Sequence, residues 1–107
     1  VTVGLFEWIE DFAGISAATR TPAGLLYVNG RETDHVPAWA RTAAVGAILD
    51  NGASLWLPAR RSGVARVTLP DTLTQAHIID VTLACRLLTE HCHVYRDGNE
   101  IHIDIGT

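Results

Sequence analysis

Histidines near the C-terminus carry the densest chemistry in this chain. The run His91-Cys92-His93-Val94-Tyr95-Arg96-Asp97-Gly98-Asn99-Glu100-Ile101-His102-Ile103-Asp104 alternates polar and apolar residues on both sides of Asp97-Gly98. Asp-Gly is a strong two-residue turn signal, because both residues tolerate positive φ. With that pair at the tip, His93 faces His102, Val94 faces Ile101, Cys92 faces Ile103 and His91 faces Asp104. Strand side chains alternate between faces. One face therefore takes Cys92, Val94, Ile101, Ile103 and Ile105. The other takes His91, His93, Tyr95, Glu100, His102 and Asp104. Imidazoles from His91, His93 and His102 on adjacent strands would make an open tetrahedral zinc site, with water as the fourth ligand. Glu100 or Asp104 would orient a ligand ring from behind. The ordinary alternative is a solvated strand face that happens to carry histidine.

Two further groups merit weighing. His77 and Asp80 stand three residues apart inside a helical pattern, close enough to meet. A carboxylate that orients an imidazole is a general acid–base arrangement. No nucleophile motif accompanies them, and a solvent-reaching edge of the helix is the simpler reading. Arg60, Arg61 and Arg66 cluster around the PARRSG turn. With Trp56 and Tyr95 on the same sheet face, they fit the way some sheet modules stack RNA bases. A net charge of −4 and the absence of Lys argue against nucleic acid as a partner. The chain has no Gly-rich phosphate loop, Cys-x-x-Cys pair or His-Glu-x-x-His helix.

The elements that would position these residues follow from periodicity. Asp71 to His91 reads as a long helix, with Thr72 and Gln75 at capping-box spacing. Leu73, Ala76, Ile78, Val81, Leu83, Ala84, Cys85, Leu87 and Leu88 fill its apolar arc, and Gln75, Thr82, Arg86 and Thr89 lie opposite. Residues 4–13 form an amphipathic helix with Leu5, Trp8, Ile9 and Phe12 in one stripe. Residues 16–23 read as a small, polar linker, and the chain divides into that N-terminal helix with its linker (1–22) and an α+β domain (23–107). Leu25 to Val28 is a short strand, Asn29-Gly30 a tight turn, and Arg31 to Thr33 a returning strand. Asp34 and Pro37 open a helix that stops at Asn51-Gly52. Ser54 to Leu57 and Val64 to Leu69 are strands that put Trp56, Arg66 and Thr68 on one face.

After the first helix, this order begins with the βαββαβ sequence of a ferredoxin-like sandwich, followed by one extra C-terminal strand. Such a layout covers one sheet face with helices and leaves the other free. The expected free face collects Trp56, Arg66, Thr68, Tyr95 and the histidines.

Composition sets the outer bounds. The chain has 107 residues, 48% apolar and 19% charged, which fits one folded domain and excludes general disorder. No apolar run is long enough to span a membrane, and the first residues lack the basic region of a secretory signal. Cys85 and Cys92 both fall at apolar positions, as expected for buried thiols in a reducing cytoplasm. The residues thus predict a small, non-catalytic binding domain in the cytoplasm, without a cofactor and acting as a homo-oligomer. Its working surface would be Trp8 and Phe12 of the N-terminal stripe together with Trp56, Arg66 and Tyr95. The alternatives are a zinc-dependent hydrolase using His91, His93 and His102, and a nucleic-acid accessory factor using Arg60, Arg61 and Arg66.

Overall fold

A meander, two helices and two hairpins share one sheet in the computed structural model, which describes residues 15–58, 63–88 and 93–104. The strands are β1 (Ala17–Arg20), β2 (Leu26–Val28), β3 (Arg31–Thr33), β4 (Ser54–Trp56), β5 (Val64–Thr68), β6 (His93–Asp97) and β7 (Glu100–Asp104). They form a 7-stranded sheet in the order β3-β2-β1-β4-β5-β7-β6, antiparallel at every pairing. A 3-10 turn (Ala38–Arg41) leads into helix α1 (Ala43–Asp50), and helix α2 (Gln75–Leu88) links β5 to β6. The protein is therefore a mixed α+β domain, as its periodicity implies.

Each turn has a local cause. Asn29 and Gly30 both take positive φ (54° and 78°), the pattern of a type I′ turn, and Val28 pairs with Arg31 across it. Helix α1 ends in a Schellman motif. Gly52 sits at φ 80°, its N–H donates to Leu49 O at 3.0 Å, and Ala53 N–H donates to Ile48 O at 3.3 Å. At the start of α2, Thr74 Oγ1 accepts from His77 N–H at 3.4 Å, and Thr74 O accepts from Ile78 N–H at 3.0 Å. The N-cap is thus Thr74, not Thr72. Residue 77 is His, so no capping box forms. Asp34 does not cap the preceding helix. Thr33 Oγ1 makes a local turn with His35, and extended Thr42 separates the 3-10 turn from α1.

Alternation along the strands places the core. Ala18, Leu26, Leu55, Ala65, Val67, Ile101 and Ile103 are buried on the sheet face that meets Val45, Ile48 and Leu49 of α1 and Val81, Cys85 and Leu88 of α2. Trp39 and Ala40 join the same core. Residues on the other strand face, such as Trp56, Arg66 and Thr68, are exposed.

Three expectations change. The segment 16–23 contains β1, which pairs with both β2 and β4. Small residues conceal this strand, since Ala17-Ala18-Thr19 shows no apolar alternation. β1 also alters the topology. In a ferredoxin-like split unit the two βαβ halves interleave, whereas here β3-β2-β1 lies beside β4-β5-β7-β6. Only β5-α2-β6 keeps the split form, with β5 and β6 parallel and β7 between them. Finally, Ala76, Leu83 and Leu87, assigned to the apolar arc of α2, are exposed, as is Ile79. The apolar arc is wider than the face that one sheet can cover.

Candidate binding face

The uncovered sheet face is built by β4, β5, β7 and β6. In register across them lie Trp56, Arg66, His102 and Tyr95: Trp56 opposes Arg66, Arg66 opposes His102, and His102 opposes Tyr95. Four adjacent strands spaced about 4.8 Å apart make this row about 15 Å long. The Arg66 guanidinium carbon lies 4.6 Å from the Trp56 ring centroid, a cation–π contact. The Tyr95 and His102 rings meet edge to face at 5.1 Å, and the His93 and Tyr95 ring centroids lie 5.3 Å apart.

His102 is the most tightly held member. Its Nε2 lies 3.4 Å from Glu100 Oε1 and its Nδ1 lies 3.3 Å from the Tyr95 hydroxyl. A neutral imidazole satisfies both neighbours in one tautomer: Nε2–H donates to the carboxylate, and Nδ1 accepts from the phenol. The set fixes the orientation of Tyr95 while leaving its ring 39% exposed, beside a Trp56 that is 40% exposed. A rigid row of half-exposed aromatic surface and one stacked guanidinium is suited to gripping a flat or extended partner.

The hairpin turn differs from the expected one. Gly98 and Asn99 are central, so Asp97 pairs with Glu100, His93 with Asp104, Val94 with Ile103 and Tyr95 with His102. Gly98 alone has positive φ (60°), which is the type II′ pattern, whereas an Asp-Gly type I′ tip requires it at both central residues. The pairing shifts by two residues. Because side chains alternate with period two, every residue keeps its face. His93 and His102 remain on the open face but no longer oppose each other, since Tyr95 stands across from His102 and Asp104 across from His93.

His91 lies outside the described residues, as do Cys92, Trp8, Phe12, Arg60 and Arg61. Among the described residues no group of three His, Cys, Asp or Glu side chains converges on one point. His77 and Asp80 are both exposed on α2, and no hydrogen bond or ion pair joins them. Cys85 is buried on the core side of α2. No helix among the described residues is long and apolar enough to cross a membrane.

Two features escaped the periodicity argument. Thr19 and Tyr27 extend the open face beyond β4, with Ser54 donating to Thr19 Oγ1 at 3.3 Å. The Thr residues of this stretch were the one strand signal available there. The second is a cleft of ≈ 480 Å³ at one end of the sheet, lined in part by Arg20, Asp50, Pro70 and Leu73. Arg20 Nε and Asp50 Oδ1 form an ion pair at 2.9 Å there, which offsets a carboxylate at the unfavourable C-terminus of α1. Comparison with protein-family models, with characterised proteins and with solved structures found no match for this chain.

Proposed function

We propose that this protein is a small non-catalytic binding domain that receives a protein partner on its open sheet face. The reading rests on one observation: Trp56, Arg66, His102 and Tyr95 stand in register across four adjacent strands, with the aromatic rings half exposed. Aromatic residues and Arg are the side chains that dominate interface energetics. The net charge of −4 weighs against a nucleic-acid partner. The β5-α2-β6-β7 half supplies three of the four strands that carry the row and the helix behind them. The proposal includes self-association, to which Leu5, Trp8, Ile9 and Phe12, all outside the described residues, would contribute as the sequence-expected apolar stripe.

A peptide selection against the immobilised full-length chain tests the sheet-face reading. Selected peptides are expected to lose about tenfold or more in affinity against Trp56→Ser and against Arg66→Ala, each with an unchanged thermal midpoint. Peptides that bind both variants as tightly as the wild type would overturn it. Titration with zinc belongs beside this experiment. Stoichiometric uptake by the wild type that His102→Ala abolishes and His77→Ala leaves intact would replace the binding-domain reading with the metalloenzyme.

A further inference from the structure

Strand β6 is the outermost strand at one end of the sheet, and among the described residues nothing pairs with its free side. The backbone pattern fixes which groups stand there. Asp97 and Glu100 flank the two-residue tip, so their N–H and C=O groups bond to each other. Alternation then turns the groups of Tyr95 and His93 toward β7, and those of Val94 and Arg96 outward. Folded proteins blunt such an edge with proline, lysine, a bulge or a very short strand. His93–Asp97 has none of these, and its 5 residues pair with β7 without interruption. The opposite edge, β3, is blunted: it has 3 residues, and the one turned outward is Glu32.

Two copies of β6 are self-complementary across a two-fold axis normal to the sheet. Such an axis runs the strands antiparallel and keeps both open faces on the same side. Centring the pair on Tyr95 gives every residue of β6 a partner. Val94 then meets Arg96 of the partner subunit, so the outward-turned backbone groups bond to each other. Tyr95 meets its own copy. His93 meets Asp97 of the partner subunit, and the two-fold makes this contact twice. Opposed residues share a face, and His93 and Asp97 are both exposed on the open one. An imidazole N–H donates to a carboxylate across strands at this spacing. Centring on Arg96 would set guanidinium against guanidinium, and centring on Val94 would leave Arg96 and Asp97 with no β6 residue opposite. A β3 pair would set Glu32 against Glu32. We infer that a second copy of this chain pairs edge to edge with β6, antiparallel and centred on Tyr95. The inference rests on the homo-oligomer reading and assigns self-association to this edge. The interface is isologous, as two-fold dimers require. It joins the two sheets into one, and the row Trp56, Arg66, His102, Tyr95 runs on into the same row of the second copy. The joined row crosses eight strands over about 34 Å, which doubles the face offered to an extended partner.

Sedimentation over a concentration series with the full-length chain tests the inference. The wild type is expected to form a reversible dimer. Arg96→Pro removes an outward N–H without touching the β7 ladder, and should raise Kd about 30-fold or more. His93→Asp sets carboxylate against carboxylate twice and should raise Kd about tenfold. Tyr95→Cys keeps the test decisive if Arg96→Pro fails to fold. Opposed residues on the axis have Cα atoms about 4.5 Å apart, within reach of a disulfide. Mild oxidation should therefore link two copies through position 95, identified by peptide mass, about tenfold or more faster than it links copies of Glu32→Cys. A wild type that is monomeric at every concentration would overturn both this inference and the homo-oligomer reading. A dimer that survives Arg96→Pro, or is lost with Trp8→Ser/Phe12→Asp instead, would overturn the β6 assignment alone. So would equal cross-linking rates at positions 95 and 32.

Discussion

Cys85 shows how the core acts on a single group. Burial pushes its thiol from an ordinary 9.0 up to about 12, because the apolar surroundings disfavour the thiolate. The unfolded chain releases this proton near its ordinary value, and the folded chain holds it. The resulting stabilisation is complete below pH 9.0 and is lost as pH rises toward about 12. The unfolding free energy should therefore fall through that window by up to roughly 1.4 kcal/mol per pH unit. Denaturant titrations of the wild type and Cys85→Ser between pH 8 and 11 check this, the variant lacking that component of the slope. The same burial makes alkylation of Cys85 a reporter of unfolding, since the thiol meets reagent only when α2 leaves the sheet.

Element boundaries are set by single side chains. Two threonines precede α2, and only Thr74 accepts a hydrogen bond from a first-turn N–H. Thr74→Ala should cost about 1 kcal/mol, while Thr72→Ala should stay within about 0.5 kcal/mol. Chemical denaturation of both variants separates the two assignments. At the hairpin, the competing tips Asp97-Gly98 and Gly98-Asn99 share one glycine. The observed tip asks for a single positive φ and puts it on Gly98, which needs no left-handed Asp. The two-residue shift preserves both faces, so it decides who opposes whom without moving a side chain into or out of the core.

At the scale of the molecule, all described core residues form one cluster between the sheet and the helices. Stability is therefore concentrated on that side. Leu55, 1% exposed at the centre of the sheet, is expected to cost about 2–5 kcal/mol on replacement by Ala. Leu83→Ala should fall within about 0.5 kcal/mol of the wild type. Thermal and denaturant unfolding of the two variants test whether α2 has one working face or two. A large loss at Leu83 would place that side chain in the monomer's own core and remove the exposed stripe.

Sequence by itself determined what depends on neighbours along the chain. The alternation in β4, β5 and the C-terminal hairpin assigned Trp56, Arg66, Tyr95 and His102 to one face, because a strand's period of two survives any even error in register. Asn29-Gly30 and Asn51-Gly52 marked their turns, because Asn29, Gly30 and Gly52 take the positive φ that favours Asn and Gly. Tertiary structure decided what depends on which surfaces meet. β1 exists because Ala17 to Arg20 can pair with β2 and β4 on both sides, a gain in backbone hydrogen bonds that its small side chains do not announce. The strand order followed from that insertion. The broad apolar arc of α2 was legible, but its division into buried Val81, Ala84, Cys85 and Leu88 and exposed Ile79, Leu83 and Leu87 was not. A helix has apolar surface wherever its sequence puts it, and only the width of the sheet beneath fixes how much of that surface the monomer can cover.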